Sequence, residues 1–183
     1  MSDLRSAAYW IGHFFTVAAT IIGVYYAAIV GFEVALKINL VEADRGTYYL
    51  SESMYQELEY NIDNMDRYID RVANEQWVFK EHIEGIKLND YIFKSAMYSD
   101  SVFEIEPQIL TQVSIYYFAV GNAITQYYNT DMKFPSKVMK VVKAETKKLK
   151  EQKTIEKLGA YNVSLAKTVS DRGVNLAQPD YQL

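Results

Sequence analysis

Asp63, Asp66 and Asp70 fall on one side of any helix built through them, a spacing with which carboxyl groups can gather a divalent cation. The neighbouring residues oppose that chemistry. Arg67 and Arg71 stand among the acids and repel a cation, and helical di-metal centres draw a Glu-x-x-His pair from facing helices. His82 is the only histidine outside the apolar N-terminal stretch, and the residue three positions before it is Phe79. Glu81 and Glu84 flank His82, but acid–base work also needs a pocket and a partner within hydrogen-bond reach. There is no cysteine, hence no disulfide framework, thiolate zinc site or thiol nucleophile. No Gly-rich loop is present to cradle a phosphate. The sequence therefore predicts no catalytic residue, no metal and no cofactor, and these acids read as the solvated face of a helix.

The elements that would carry such residues begin with an uncharged run. Residues 7–32 contain no Lys, Arg, Asp or Glu, and a bilayer core takes about 20 apolar residues. The run is much longer than the 7–15-residue apolar region of a cleaved signal peptide, so a retained anchor is expected. A transmembrane helix is placed at residues 8–37, after a short tail at 1–7. Tyr9, Trp10, Phe14 and Phe15 suit the headgroup zone at one end, and Lys37 marks the other. His13 and Glu33 lie near the two ends, where a polar group is cheap, and read as interfacial residues. Gly12, Thr16, Thr20, Gly23, Ala27, Gly31 and Ala35 recur mostly every four residues. Such a stripe lets two helix backbones approach closely in lipid, which predicts packing against a second membrane helix.

Residues 38–158 are expected to form an all-α helical-bundle domain with antiparallel packing. Gly46 marks a break, and Ser51 is positioned to cap the helix that follows. Its seam runs through Tyr55, Leu58, Ile62, Met65, Ile69, Val72, Phe79, Ile83 and Ile86, with Gln76 interrupting, at alternating spacings of three and four. That near-heptad repeat fits a coiled coil or a bundle helix equally. Glu57, Glu59, Asp63, Asp66, Arg67, Asp70 and Arg71 occupy the opposite, solvated face. Asn89 and Asp90 offer the next break and cap, ahead of a short apolar helix, and residues 99–101 read as a loop. Pro107 suits the first position of a helix, where its missing N–H costs nothing. The helix after it is uncharged through residue 130, so a second membrane span has to be weighed. Its periodic polar face (Thr111, Ser114, Asn122, Thr125) favours a bundle helix instead. Pro135 stops that segment and Ser136 caps a final helix. The pattern weakens after Gly159, which leaves residues 159–183 as a partly extended tail.

Charge is divided along the chain. The net charge is −4, with acids concentrated in residues 41–132 and bases in 133–167. Lys137, Lys140, Lys143, Lys147, Lys148 and Lys150 surround an apolar edge of Val138, Val141, Val142 and Leu149. Docking of that edge on the bundle, with lysines facing the acidic long helix, is the first expectation. Contact with anionic lipid is the second. Nucleic acid is not expected, because the interleaved aromatics of a single-strand binder are missing. Tyrosine pairs at Tyr25–Tyr26, Tyr48–Tyr49, Tyr116–Tyr117 and Tyr127–Tyr128 read first as core-edge residues, and second as the lining of a ligand groove or protein interface.

Two stretches carry a resemblance. Gly31-Phe-Glu-Val-Ala-Leu-Lys-Ile-Asn39 followed by Leu58-Glu-Tyr-Asn-Ile62 is one. Ser95-Ala-Met, Phe103, Ile105-Glu-Pro107, Leu110 and Tyr116 through Asn122 is the other. Together they resemble uncharacterised prokaryotic single-pass membrane proteins, in which a membrane helix leads into a long acidic helix and a helical domain. That resemblance implies a membrane-tethered helical domain and carries no activity onto any residue; the expected location is a prokaryotic inner membrane. Near Ala96, Met97 and Tyr98 only approximate the aromatic of that pattern.

The expected function is non-enzymatic: a membrane-anchored interaction or accessory subunit of a membrane assembly, with lipid and either itself or another membrane protein as partners. Two alternatives stand beside it. One is a ligand-sensing bundle with a tyrosine-lined pocket between the long helix and the Pro107 helix, and the other is a small homo-oligomeric pore. Positive charges flank the anchor almost equally through Arg5, Lys37 and Arg45. The short N-terminal tail tips the expectation toward a cytoplasmic domain.

Overall fold

The computed structural model describes residues 7–74, 87–129, 135–174 and 176, which are all-helical with no strand among them. The chain divides into two units, Met1–Glu42 and Ala43–Leu183. Helix α1 (Ala7–Asn74) contributes residues to both.

In the first unit the side chains of residues 9–40 are exposed, Ala18 being half-buried. Phe14 is 70% and Phe32 66% exposed. Among the described residues this is the one helix long and apolar enough to cross a membrane, and none of its most apolar stretch is buried within the chain. Its polar side chains are satisfied locally. Thr16 Oγ1 donates to the Gly12 carbonyl at 3.0 Å and Thr20 Oγ1 to the Thr16 carbonyl at 2.8 Å, so neither hydroxyl needs water.

In the second unit Met54, Leu58, Ile62, Met65 and Tyr68 form the buried stripe of α1. Spacings of four and three keep them on one side of the helix. Onto them pack Phe93 and Ala96 of the short helix α2 (Tyr91–Ala96) and Val102 of a 3₁₀ turn (Asp100–Glu104). Helix α3 (Pro107–Asn129) adds Ile109, Val113, Tyr116, Tyr117, Val120, Ile124 and Tyr127. Val138, Val142 and Leu149 come from α4 (Pro135–Glu151), and Leu158 from α5 (Thr154–Asp171). All belong to one core, and each fully buried side chain of this size contributes about 1.5–3 kcal/mol. The buried apolar face of α3 is that of a core helix, and it does not qualify as a membrane span.

Four boundaries differ from those expected. No break occurs at Gly46, which lies inside α1. Glycine in a helix interior costs only about 0.5–1 kcal/mol relative to alanine, too little to interrupt a helix whose neighbouring turns are packed. Ser51 is therefore no N-cap. It is buried, and its Oγ donates back to the Tyr48 carbonyl at 3.1 Å. Helix α4 begins at Pro135 itself, not after a Ser136 cap, and Ser136 is exposed within its first turn. Finally, the chain does not fray at Gly159. A two-residue turn at Gln152 and Lys153, the latter left-handed at φ 53°, ends α4, and α5 then runs to Asp171.

Gly46 gives a direct check. A Cβ built there meets only Ser101 Oγ, at 3.4 Å, which is tolerable contact. The Gly46→Ala variant is expected to gain about 0.5–1 kcal/mol in denaturant unfolding of the detergent-solubilised chain. A loss of stability would show that this position needs glycine as a turn does.

Candidate functional site

The stripe predicted in the first unit is open along its length. Gly12, Thr16, Thr20, Gly23, Ala27, Gly31 and Ala35 are all exposed, and a Cβ built on Gly12, Gly23 or Gly31 meets nothing within 4 Å. His13 lies edge-on to Tyr9 with ring centres 4.4 Å apart, and Glu33 is exposed.

The predicted seam divides in three. Leu58, Ile62 and Met65 are buried, and Tyr55 and Ile69 are half-buried. Val72 lies on α1 with its side chain outside the described residues, as are Phe79, Ile83 and Ile86 altogether. Glu81, His82 and Glu84 also lie outside them. Among the described residues no three His, Cys, Asp or Glu side chains are gathered so as to hold a metal.

The six lysines of α4 are exposed. Lys150 Nζ reaches Asp66 on α1 at 2.8 Å, the expected link from the basic helix to the acidic one. Lys148 pairs with Glu145 at 2.7 Å and Lys147 with Glu151 at 3.5 Å, both within α4. These exposed pairs each contribute at most about 1 kcal/mol.

Glu57 departs from its expected place on the solvated face: it is only 5% exposed. Its carboxyl accepts from the backbone N–H of Ile92 at 2.7 Å and of Phe93 at 2.9 Å, and from the Tyr117 hydroxyl at 3.1 Å. Ile92 and Phe93 belong to the first turn of α2, whose N–H groups have no partner within their own helix. Asp90, the residue expected to cap that turn, makes no side-chain cap and pairs with Lys94 at 2.8 Å instead. The cap thus comes from another helix. One turn further along α1, Asn61 donates from Nδ2 to the Asn89 carbonyl and to the Tyr117 hydroxyl, and its Oδ1 accepts from the Asn89 N–H at 2.9 Å. Phe93 stacks on the Tyr117 ring, 4.4 Å centre to centre and 6° from parallel. Glu57, Asn61 and Tyr117 together fasten residues 89–93 to α1 and α3. A Glu-x-x-x-Asn spacing on a helix was the available signal. It carries no hint that its partners are backbone groups some 30 residues away.

Burial, then the adjacent Glu57 charge, pushes the Tyr117 hydroxyl well above the ordinary tyrosine range. Burial does the same to Tyr116. Tyr68 is pushed up to about 12, again chiefly by burial. All three tyrosines are buried in the bundle core. Comparison with protein-family models, curated proteins and solved structures finds no match for the chain.

Removing the carboxyl is expected to free the first turn of α2. Glu57→Gln should cost about 1–3 kcal/mol, because one amide arm then faces backbone N–H groups. Glu57→Ala should cost at least as much, about 1–3 kcal/mol for each donor left buried without a partner. Hydrogen exchange at Ile92 and Phe93 should accelerate in both, and unchanged exchange would contradict the assignment.

The tyrosines set an alkaline limit. Their neutral forms are the ones favoured in the folded state, so unfolded chains lose these protons first, near 10. The stabilisation is intact below pH 10 and is lost as pH rises through about 12 and beyond. A phenolate absorbance titration should show the buried tyrosines ionising together with loss of helical circular dichroism. Ionisation of every tyrosine near 10 with helicity intact would contradict it.

Proposed function

We propose that this protein is a non-enzymatic, single-pass membrane subunit whose helical bundle serves protein–protein assembly. The observation that carries the reading is the exposure of an apolar helix: among the described residues none covers 9–40, where only Ala18 is half-buried, and residues 7–32 carry no charge. In water such a surface is a large unmet cost, about 25 cal/mol per Å². A bilayer removes that cost, and the helix satisfies its own backbone polar groups, the requirement lipid imposes. The internal hydrogen bonds of Thr16 and Thr20 support the same environment.

Within the bilayer, the line through Gly23, Ala27 and Gly31 is the contact surface, either with a second copy or with the membrane helix of a larger partner. The buried Glu57–Asn61–Tyr117 cluster belongs to the interior of the bundle and supports a scaffold role. The sensor reading placed a pocket between α1 and α3. Tyr116 and Tyr117, the tyrosines on that side of α3, are 1% and 4% exposed and pack in the core, so assembly is the better supported reading.

The test is substitution of Gly23 and Gly31 by Leu in the full chain. A Cβ built at either position meets nothing within 4 Å among the described residues, so unfolding of the second unit should be unchanged. Cross-linked or co-purified complex in mild detergent should fall. Complex formation equal to that of the unmodified protein would overturn the stripe as the contact surface.

A further inference from the structure

A groove of about 340 Å³ lies between α1 and α5, lined by Tyr48, Glu52 and Tyr55 on one side and Gly159, Asn162, Val163 and Ala166 on the other. Its existence follows from residue size. Tyr48, Glu52 and Tyr55 are spaced four and three along α1, so they share a face. Opposite them, Gly159 and Ala166 are seven residues apart on α5 and leave the space that larger side chains would fill. The Tyr55 ring already reaches the backbone at Gly159: a Cβ built there lies 3.4 Å from Tyr55 Cε2.

The polar groups of the groove are acceptors in excess. Glu52 Oε2 accepts from Asn162 Nδ2 at 2.9 Å, and Oε1 from Gln56 Nε2 at 3.1 Å. Both donors are neutral amides, and the lining residues include no cation. Asn162 is 3% exposed, and its Oδ1 is buried with no hydrogen-bond partner. A buried polar atom without a partner calls for a water or an ion to satisfy it; Tyr68, Tyr116 and Thr146 share that state in the bundle core, and Asn162 is the one that borders this groove. Burial, followed by the charges of Glu59, Glu52 and Glu156, pushes the Tyr55 hydroxyl above the ordinary range.

A carboxyl with neutral partners, an amide oxygen lacking a donor and two tyrosine rings define one ligand chemistry. We propose that the α1–α5 groove binds a small primary alkylammonium ion. Its N–H groups would bond Glu52 and, after a small rotation of the amide, Asn162 Oδ1. The cation would also gain from the Tyr48 and Tyr55 ring faces, as ammonium groups do over aromatic rings, and its alkyl chain would lie along Val163 and Ala166. This site is independent of the membrane contact proposed above.

The test uses the full chain in an uncharged detergent, titrated calorimetrically with n-butylammonium chloride and, in parallel, with n-butanol as the neutral match. Saturable binding of butylammonium and none of butanol is expected. Glu52→Gln keeps the shape of the side chain and should weaken binding about tenfold or more, the scale of a lost hydrogen bond to a charged group. Ala166→Leu fills the groove and should abolish binding while thermal unfolding stays unchanged, so it decides the matter if the Glu52 variant folds poorly. Equal responses to butanol and butylammonium, no saturable binding, or unaltered binding by a folded Ala166→Leu protein would each overturn the proposal.

Discussion

Everything in this chain answers to one constraint: the apolar surface of α1 must be removed from water along its length. In the second unit the surface is a stripe, and the rest of the chain covers it. Met54, Leu58, Ile62, Met65 and Tyr68 are buried under α2, α3, α4 and α5. In the first unit the surface goes all the way round the helix, and no segment among the described residues covers it. A stripe calls for a partner helix, whereas an all-round apolar surface calls for an apolar surrounding. The two halves of one helix thus demand two different solutions.

The stripe is kept in register by polar groups at its edge. Glu57 and Asn61 sit beside the buried positions and bind the backbone of residues 89–93. Hydrophobic contact alone is non-directional. A carboxyl that accepts from two defined N–H groups fixes where α2 begins, and the Tyr117 hydroxyl ties the same point to α3. The cost of breaking this cluster exceeds its net contribution, because each buried group would be left without a partner. It therefore specifies the arrangement more than it stabilises it.

Much of this was legible in the sequence, and the failures have identifiable causes. The all-helical class, the uncharged run, the seam through Met65 and the Pro107 start all rest on strong periodic or steric signals, and all are present. Gly46 and Ser51 misled because their local preferences are worth about 1 kcal/mol, which packing overrides. Glu57 sits among charged residues at helical spacing, and only its tertiary partners, backbone amides, distinguish it from Glu59. Helix α5 escaped notice because its inward positions include Thr154 and Asn162, both buried, which blur the apolar period. The same substitution of polar or small residues at inward positions opens the α1–α5 groove, so the weak pattern and the candidate site have one origin.

The central claim is that residues 9–40 reside in a bilayer, and it is tested most directly by membrane flotation after a high-salt wash, followed by intact mass measurement. Salt removes proteins held by lysines at a lipid surface, and mass reports whether the N-terminal helix is retained. The account predicts that the chain floats with the membranes at its full 21.1 kDa. Recovery in the soluble fraction, or a mass lacking the N-terminal helix, would contradict it.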